Sequence, residues 1–209
     1  MSSYRLRTRL DMLPFWAEVF SGEYDSKFWP KHCDVVVDVG ANVGAFGVWA
    51  ATRFGTDRVH AYEPQAAAME LLSSNLGSVG VQTVPVNAAV HLGAAPGHLV
   101  PCGRKNAGEY EFVVGERPEV SGSVPVVSVP AADLPDCDFL KVDTEGSEVP
   151  IISGLFQAGK YPTHIVLEYH SAKDLGQLVT MFAEHNYVTH TLKAFSQHRG
   201  ILGASRVAG

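Results

Sequence analysis

The stretch DFLKVDTEGSE (138–148) packs five charged side chains, Asp138, Lys141, Asp143, Glu145 and Glu148, into eleven positions, in a chain that is 18% charged overall. Its first half, with Phe139, Leu140 and Val142, has the apolar character of a buried strand. Side chains alternate along a strand, so Phe139, Lys141 and Asp143 share one face and Leu140 and Val142 the other. A buried ammonium at Lys141 needs a carboxylate beside it or it gives up its proton. Farther along, THIVLEYH (163–170) sets Glu168 and His170 two positions apart, on one face at a strand's carboxyl end. If Lys141, Asp143, Glu145, Glu168 and His170 converge, they surround a reacting hydroxyl or a metal ion. The competing reading is a buried ion-pair network that only fixes the loop.

A second group of residues speaks for a ligand. VVVDVGANVGAFG (35–47) reads as a strand, a glycine-containing turn and a helix start. The free N–H groups at such a helix start favour an anionic group. The order Gly40-Ala-Asn42-Val-Gly44 lacks the middle glycine that lets backbone approach a pyrophosphate. That counts against a dinucleotide and favours a nucleoside without a diphosphate, of which S-adenosylmethionine (SAM) is the obvious candidate. An acidic partner for the ribose belongs at the end of the next strand, about 20 residues on. Glu63, closing RVHAYE (58–63), fills that place. The third strand ends at Asn87-Ala88-Ala89, where small residues leave room for a flat base and Asn87 or a backbone N–H meets its edge.

The elements that must position these residues follow from the hydrophobic pattern. Strands are expected at 35–39, 58–63 and 81–86, with helices at 46–54 and 66–76 between them, a βαβαβ series that marks a doubly wound parallel sheet. The rhythm breaks at 92–130, rich in Gly, Pro and Val, which reads as an antiparallel β insertion with strands near 98–100, 110–114 and 124–129. It resumes with strands at 138–143, 163–170 and 187–192, helices at 149–159 and 172–186, and a final strand near 201–207. Residues 10–20, interrupted near Pro14, predict a short helix in an aromatic-rich lead-in. The organisation expected is a lead-in or lid over residues 1–30 and one main domain over 31–209.

Composition narrows the classes. At 209 residues and 46% hydrophobic content the chain suits one sizeable core. A net charge of −6 argues against a general nucleic-acid or anionic-membrane surface. The cysteines, Cys33, Cys102 and Cys137, are odd in number and form no CxxC, which fits a reducing, cytoplasmic setting. The window 35–51 is broken by Asp38 and glycines and is a poor membrane span. No apolar run follows the basic N-terminus, so no signal peptide is expected.

DVGANVG (38–44), YEP (62–64), LKVDTEGSE (140–148) and LEYH (167–170), in that order, resemble the FkbM-type family of SAM-dependent methyltransferases. The resemblance covers residues 38–170 and implies a Rossmann-like, seven-stranded class I methyltransferase sheet whose last strand is antiparallel. It implies methyl transfer to a hydroxyl of a small molecule, such as a sugar or a natural-product intermediate. It puts cofactor contacts at Asp38, Gly40, Asn42 and Gly44, at Glu63, Pro64, Asn87 and Ala88, and at Asp143. Catalytic work then falls to Lys141, Asp143, Glu168 and His170.

Two routes to a reactive oxygen stay open. In one, His170 is the general base, because imidazole titrates near neutrality, and Glu168 orients its ring. In the other, Mg²⁺ or a similar divalent ion is held by Asp143 with Glu145, Glu168 or His170; an all-carboxylate set suits Mg²⁺ and a histidine tilts it toward Mn²⁺ or Zn²⁺. Residues 1–30 and 92–130, which carry no part of the motif, are where acceptor recognition is expected. The rival classes are an NAD-dependent oxidoreductase, disfavoured by Asn42 and the lack of a Tyr-x-x-x-Lys pair, and a non-catalytic nucleoside-binding protein.

Overall fold

The computed structural model describes residue 8 and residues 13–102, 110–116 and 120–207. The start of the expected lead-in helix and segments 103–109 and 117–119 of the insertion lie outside the described residues. The helices are α1 (Leu13–Glu18), α2 (Ala45–Phe54), α3 (Ala66–Gly77), α4 (Glu148–Gln157) and α5 (Ala172–Glu184). The first seven strands are β1 (Val35–Val39), β2 (Arg58–Tyr62), β3 (Gln82–Val86), β4 (Ala89–His91), β5 (Pro96–Pro101), β6 (Tyr110–Val114) and β7 (Val124–Pro130). They are followed by β8 (Phe139–Val142), β9 (His164–Tyr169), β10 (Tyr187–Ala194) and β11 (Gly200–Arg206).

Seven strands form one sheet in the order β10, β11, β9, β8, β1, β2, β3. The contacts from β9 through β8, β1 and β2 to β3 are parallel, and β11 runs antiparallel to both of its neighbours. The α/β, doubly wound architecture with an antiparallel last strand is therefore as the sequence implies. Alternation along β8 divides the core as expected. Phe139 joins the layer under α2 and α3, whereas Leu140 and Val142 join the layer under α4 and α5.

The lead-in belongs to the first of these layers. Trp16, Tyr24 and Trp29 are buried there, Tyr24 edge-on against Phe46 and Trp29 edge-on against Phe139. The indole N–H of Trp29 donates to the Tyr24 carbonyl at 2.7 Å. Pro14 sits in the first turn of α1 rather than interrupting it, since its missing N–H falls among groups that a helix start leaves unpaired anyway. A π-turn at Val19–Glu23 follows, with Gly22 at a φ of 96°.

The insertion forms a second sheet in the order β4, β7, β5, β6. It is antiparallel where β5 meets β6 and β7, as read from the sequence, but β4 pairs with β7 in parallel. The short strand β4 carries Ala89 into a small core with Leu99 and Phe112, so this sheet is anchored directly after β3.

Candidate active site

Strand register aligns three loops at one rim of the large sheet. Val39 pairs with Tyr62 on one side and with Val142 on the other. The next residues, Gly40, Glu63 and Asp143, therefore leave their strands side by side, and Val142 opposite Leu167 sets Glu168 next to Asp143. This is the carboxyl-end rim where open α/β sheets bind ligands.

The glycine loop is held by its neighbours. The N–H groups of Gly40 and Ala41 donate to the Tyr62 carbonyl at 3.0 Å. Asn42, at a φ of 47°, donates its N–H to Glu63 Oε2 at 2.8 Å, and the Gln65 N–H donates to Glu63 Oε1 at 2.7 Å. Burial pushes the Glu63 carboxyl up to about 7, against the pull of these two N–H groups. Each carboxylate oxygen keeps a second lone pair for a ligand hydroxyl. From below, the Asn75 amide donates to the Val43 carbonyl at 2.8 Å and ties α3 to the loop.

Several residues read as cofactor contacts act from behind the loop. Asp38 is fully buried. Gly44, at a φ of 84°, packs over Leu72 and Leu76 of α3. Asn87 donates to the carbonyls of Glu63 and Pro64 at 2.9 and 3.0 Å and so braces the strand end. Gly40, Asn42, Glu63, Pro64 and Ala88 do line a cleft that opens to solvent. Its lining also includes Lys141, Asp143, Thr144 and Glu145, together with Phe15, Val19 and Tyr24 from the lead-in and Leu99, Tyr110 and Phe112 from the insertion.

Lys141 answers the question its position raises. Its ammonium donates to the Gly40 carbonyl at 2.7 Å and lies 3.3 Å from Asp38 and 3.6 Å from Asp143. Burial alone would lower its pKa, but the two aspartates hold it above the ordinary lysine value. It is a fixed cation joining the first strand's loop to the fourth parallel strand, not a proton acceptor.

Behind Asp143 and Glu145 lies a second tier. His170 Nε2 is 3.2 Å from Glu145 and 3.6 Å from Glu168, and Nδ1 is 3.5 Å from Glu148. The Glu148 carboxylate also accepts from the N–H and hydroxyl of Thr144 at 2.9 and 3.1 Å. Burial lowers the His170 pKa, yet the adjoining Glu148 carboxylate, with Asp143 and Glu145, outweighs it and raises the value to about 9. The expectation of a ring titrating near neutrality is therefore replaced by an imidazolium enclosed in carboxylates, behind the residues that line the cleft. Glu168 is pushed up to about 7, first by burial and then by Asp143, while Arg199 opposes the shift.

Arg199 had no signal in the sequence motifs. Its Nε donates to Glu168 and its terminal nitrogen lies 3.7 Å from Glu145. It arrives from the turn between β10 and β11, because Gly200 pairs with Tyr169. A Cβ at Gly200 would lie 2.5 Å from the Lys193 carbonyl oxygen, so this close turn needs glycine. Ligand atoms of Asp143, Glu145 and His170 all lie within 4.8 Å of one another, the spacing of a shared coordination sphere.

The raised His170 pKa has a consequence for stability. A histidine whose folded value is raised from 6.5 to about 9 contributes stability in full below pH 6.5 and loses it as pH rises through 9. In a chelating buffer, the wild-type unfolding free energy should fall between pH 6.5 and 9 by roughly 1–3 kcal/mol more than that of His170→Gln. Urea titrations at both pH values would read this, and parallel slopes would remove the imidazolium from its place among the carboxylates.

Comparisons with known proteins identify the family and the fold. The sequence profile described as Methyltransferase FkbM domain matches residues 38–193. The hexuronic acid methyltransferase AglP of Haloferax volcanii is 21% identical over 174 residues, covering 81% of this chain and 70% of that protein. The precorrin-6y C5,15-methyltransferase of Geobacter metallireducens superposes with a TM-score of 0.53 at 17% identity, covering 99% of this chain and 94% of that one. The ribosomal protein L11 methylase of Lactobacillus delbrueckii subsp. bulgaricus gives a TM-score of 0.53 at 14% identity, covering 90% and 76%. These structural likenesses concern the fold.

Proposed function

This chain belongs to the FkbM-domain methyltransferases, and we propose that within that family it transfers a methyl group from SAM to a hydroxyl oxygen of a small molecule, most directly a sugar. The observation that carries the reading is one cleft whose lining joins two unlike groups. The glycine loop with Glu63 and the carboxylates of Asp143 and Glu145 all line it. The residues present fit SAM. Gly40 and Asn42 give close backbone approach, Glu63 keeps lone pairs for ribose hydroxyls, and Ala88 and Ala89 leave a small-residue wall for the base. The acidic lining suits a cationic sulfonium.

When bound, SAM supplies a methyl group on a good leaving group. The acceptor oxygen forms the new C–O bond as the C–S bond breaks, sulfur keeps the electron pair, and the hydroxyl proton passes to the carboxylate side of the cleft. Holding the two reactants in line accounts for much of the rate. The choice of a sugar rests on the name of the AglP relative. The choice of a small molecule over nucleic acid rests on a net charge of −6. The apolar and aromatic lining residues Phe15, Tyr24, Tyr110 and Phe112 come from the lead-in and the insertion and are assigned to acceptor recognition. Among the described residues no helix is long and apolar enough to cross a membrane.

Labelled-methyl transfer from SAM to a panel of neutral sugars, uronic acids and hydroxylated macrolides tests the reading. SAH, the demethylated product of SAM, gives a separate binding test. Ribose hydroxyls favour the ionised Glu63, whose pKa is about 7. SAH affinity should therefore tighten by about tenfold from pH 6 to pH 8. Calorimetry should show that slope in the wild type and not in Glu63→Gln; equal slopes would take Glu63 away from the ribose.

A further inference from the structure

Tyr24 brings a phenol to the cleft from outside the large sheet. It lines the cleft, yet the residue is only 5% exposed. Its ring is fixed by packing, edge-on against Phe46 of α2 at 5.1 Å and tilted against Trp49 at 6.3 Å. Its backbone is fixed as well, because the carbonyl accepts from the Trp29 indole at 2.7 Å. That bond belongs to the main chain, and among the described residues the phenol hydroxyl has no hydrogen-bond partner. Tyr187, equally buried, donates its hydroxyl to the Pro162 carbonyl at 2.6 Å. Trp16 Nε1 is sealed from solvent without a partner, whereas the Tyr24 hydroxyl is not sealed. A rigid, nearly buried O–H without a protein partner is a group that a ligand satisfies. Burial first, and then the charge of Asp143, raise its pKa well above the ordinary phenol value, so it stays a neutral O–H, a donor rather than a base. Asp143 is the charge that acts on the phenol most strongly, and it lines the same cleft.

We propose that Tyr24 is a catalytic residue: its hydroxyl donates a hydrogen bond to the reacting oxygen of a neutral sugar, while that oxygen's own O–H points to Asp143. One alcohol oxygen can hold both partners at once, and a lone pair remains to attack the methyl carbon. Two hydrogen bonds fix the direction of that lone pair. As the proton leaves toward the carboxylate, negative charge grows on the oxygen and the phenol bond strengthens. Phe15, Tyr110 and Phe112 line the same cleft and supply flat apolar area for the C–H face of an uncharged ring. The assignment rests on the methyl-transfer reading, which supplies the carbon that the oxygen attacks.

The test compares the wild-type chain with Tyr24→Phe, which keeps the ring and its contacts and removes an oxygen that no described protein group holds. The variant should unfold at the wild-type urea midpoint and bind SAH within about twofold of wild type. Product analysis after methyl transfer to a panel of neutral methyl hexosides names the hydroxyl that reacts, and kcat/KM for that hexoside should fall about 10–100-fold in the variant. A binding arm needs no turnover. With SAH present, the hexosides and their monodeoxy analogues are titrated by nuclear magnetic resonance. The wild type should bind one hexoside about fivefold more tightly than the analogue lacking one hydroxyl, and Tyr24→Phe should bind the two alike. Unchanged kcat/KM, the same preference in the variant, or no hexoside bound up to the solubility limit would overturn the proposal. So would SAH affinity lowered about tenfold or more in Tyr24→Phe, which would put the phenol on the cofactor instead. SAH bound with no hexoside recognised ends the Tyr24 assignment and leaves methyl transfer standing; a hexoside preference that needs Tyr24, in a chain without affinity for SAH, does the reverse.

Discussion

Glu145→Gln should lower turnover by about 10²–10⁴-fold while leaving SAH affinity within about twofold. Glu145 is the acidic side chain that reaches from the cleft wall to His170 on one oxygen and to Arg199 on the other. Its backbone, at a φ of 56°, holds it in the left-handed region just before Gly146. Glutamine keeps the volume and one acceptor and removes the charge, so folding is spared and the chemistry is not. On the proposed reading, His170 acts on the reacting oxygen through the same cluster. His170→Gln should lose turnover by a similar factor, and the double variant should lose little more than either alone. Steady-state methyl transfer at saturating SAM reads all three. Losses that multiply would mean that the two residues act separately, and near-normal turnover in Glu145→Gln would take the cluster out of the reaction.

The second large effect belongs to Gly40. Its φ is +77°, and a Cβ there would sit 1.8 Å from the Asp143 carbonyl oxygen. That oxygen is backbone and cannot swing aside. Gly40→Ala must separate the first strand's loop from the end of β8, which pulls on the Lys141 bond to the Gly40 carbonyl. A loss of at least about 3 kcal/mol of unfolding free energy is expected, together with loss of measurable SAH binding. Gly44 is the comparison. It too has a positive φ, +84°, but its added Cβ would meet ordinary contacts at 3.5 Å. Gly44→Ala should cost only about 1–2 kcal/mol. Urea unfolding of both variants decides the matter; equal losses would mean that the left-handed backbone, not the approach of Asp143, sets the requirement at Gly40.

Both predictions depend on where two strand ends meet, and that is where reading the chain in one dimension stops. The alternation of VVVDV, FGVWAATRF and RVHAYE is a local signal, so the doubly wound class follows from periodicity, whereas the antiparallel final strand was implied by the family resemblance. The cleft-lining residues Gly40, Asn42, Glu63 and Ala88 were legible for a related reason. Each sits at a fixed offset from a strand end, and parallel strands in register bring such offsets to one rim. The lead-in aromatics were legible as a class but not in their double role. Tyr24 both packs on Phe46 and lines the cleft, because a short π-turn at Val19–Glu23 steers the chain.

By itself the sequence determined which residue types lie at which strand ends: a glycine loop after β1, a carboxylate after β2, Lys141 in β8 with Asp143 directly after it, Glu168 and His170 at the end of β9. Spacing along a chain of known period is enough for that. Only the tertiary structure decided how those groups divide the work. It turned Lys141 into a clasp on the Gly40 carbonyl and set Asp143 and Glu145 in the cleft with His170 behind them. It also delivered Arg199 to Glu168 from a turn 31 residues away. Such pairings depend on the register of non-neighbouring strands, β11 against β9 above all, and on the burial that shifts each charge. Neither quantity is a property of any short window of sequence, since both arise when distant segments exclude water from the same place.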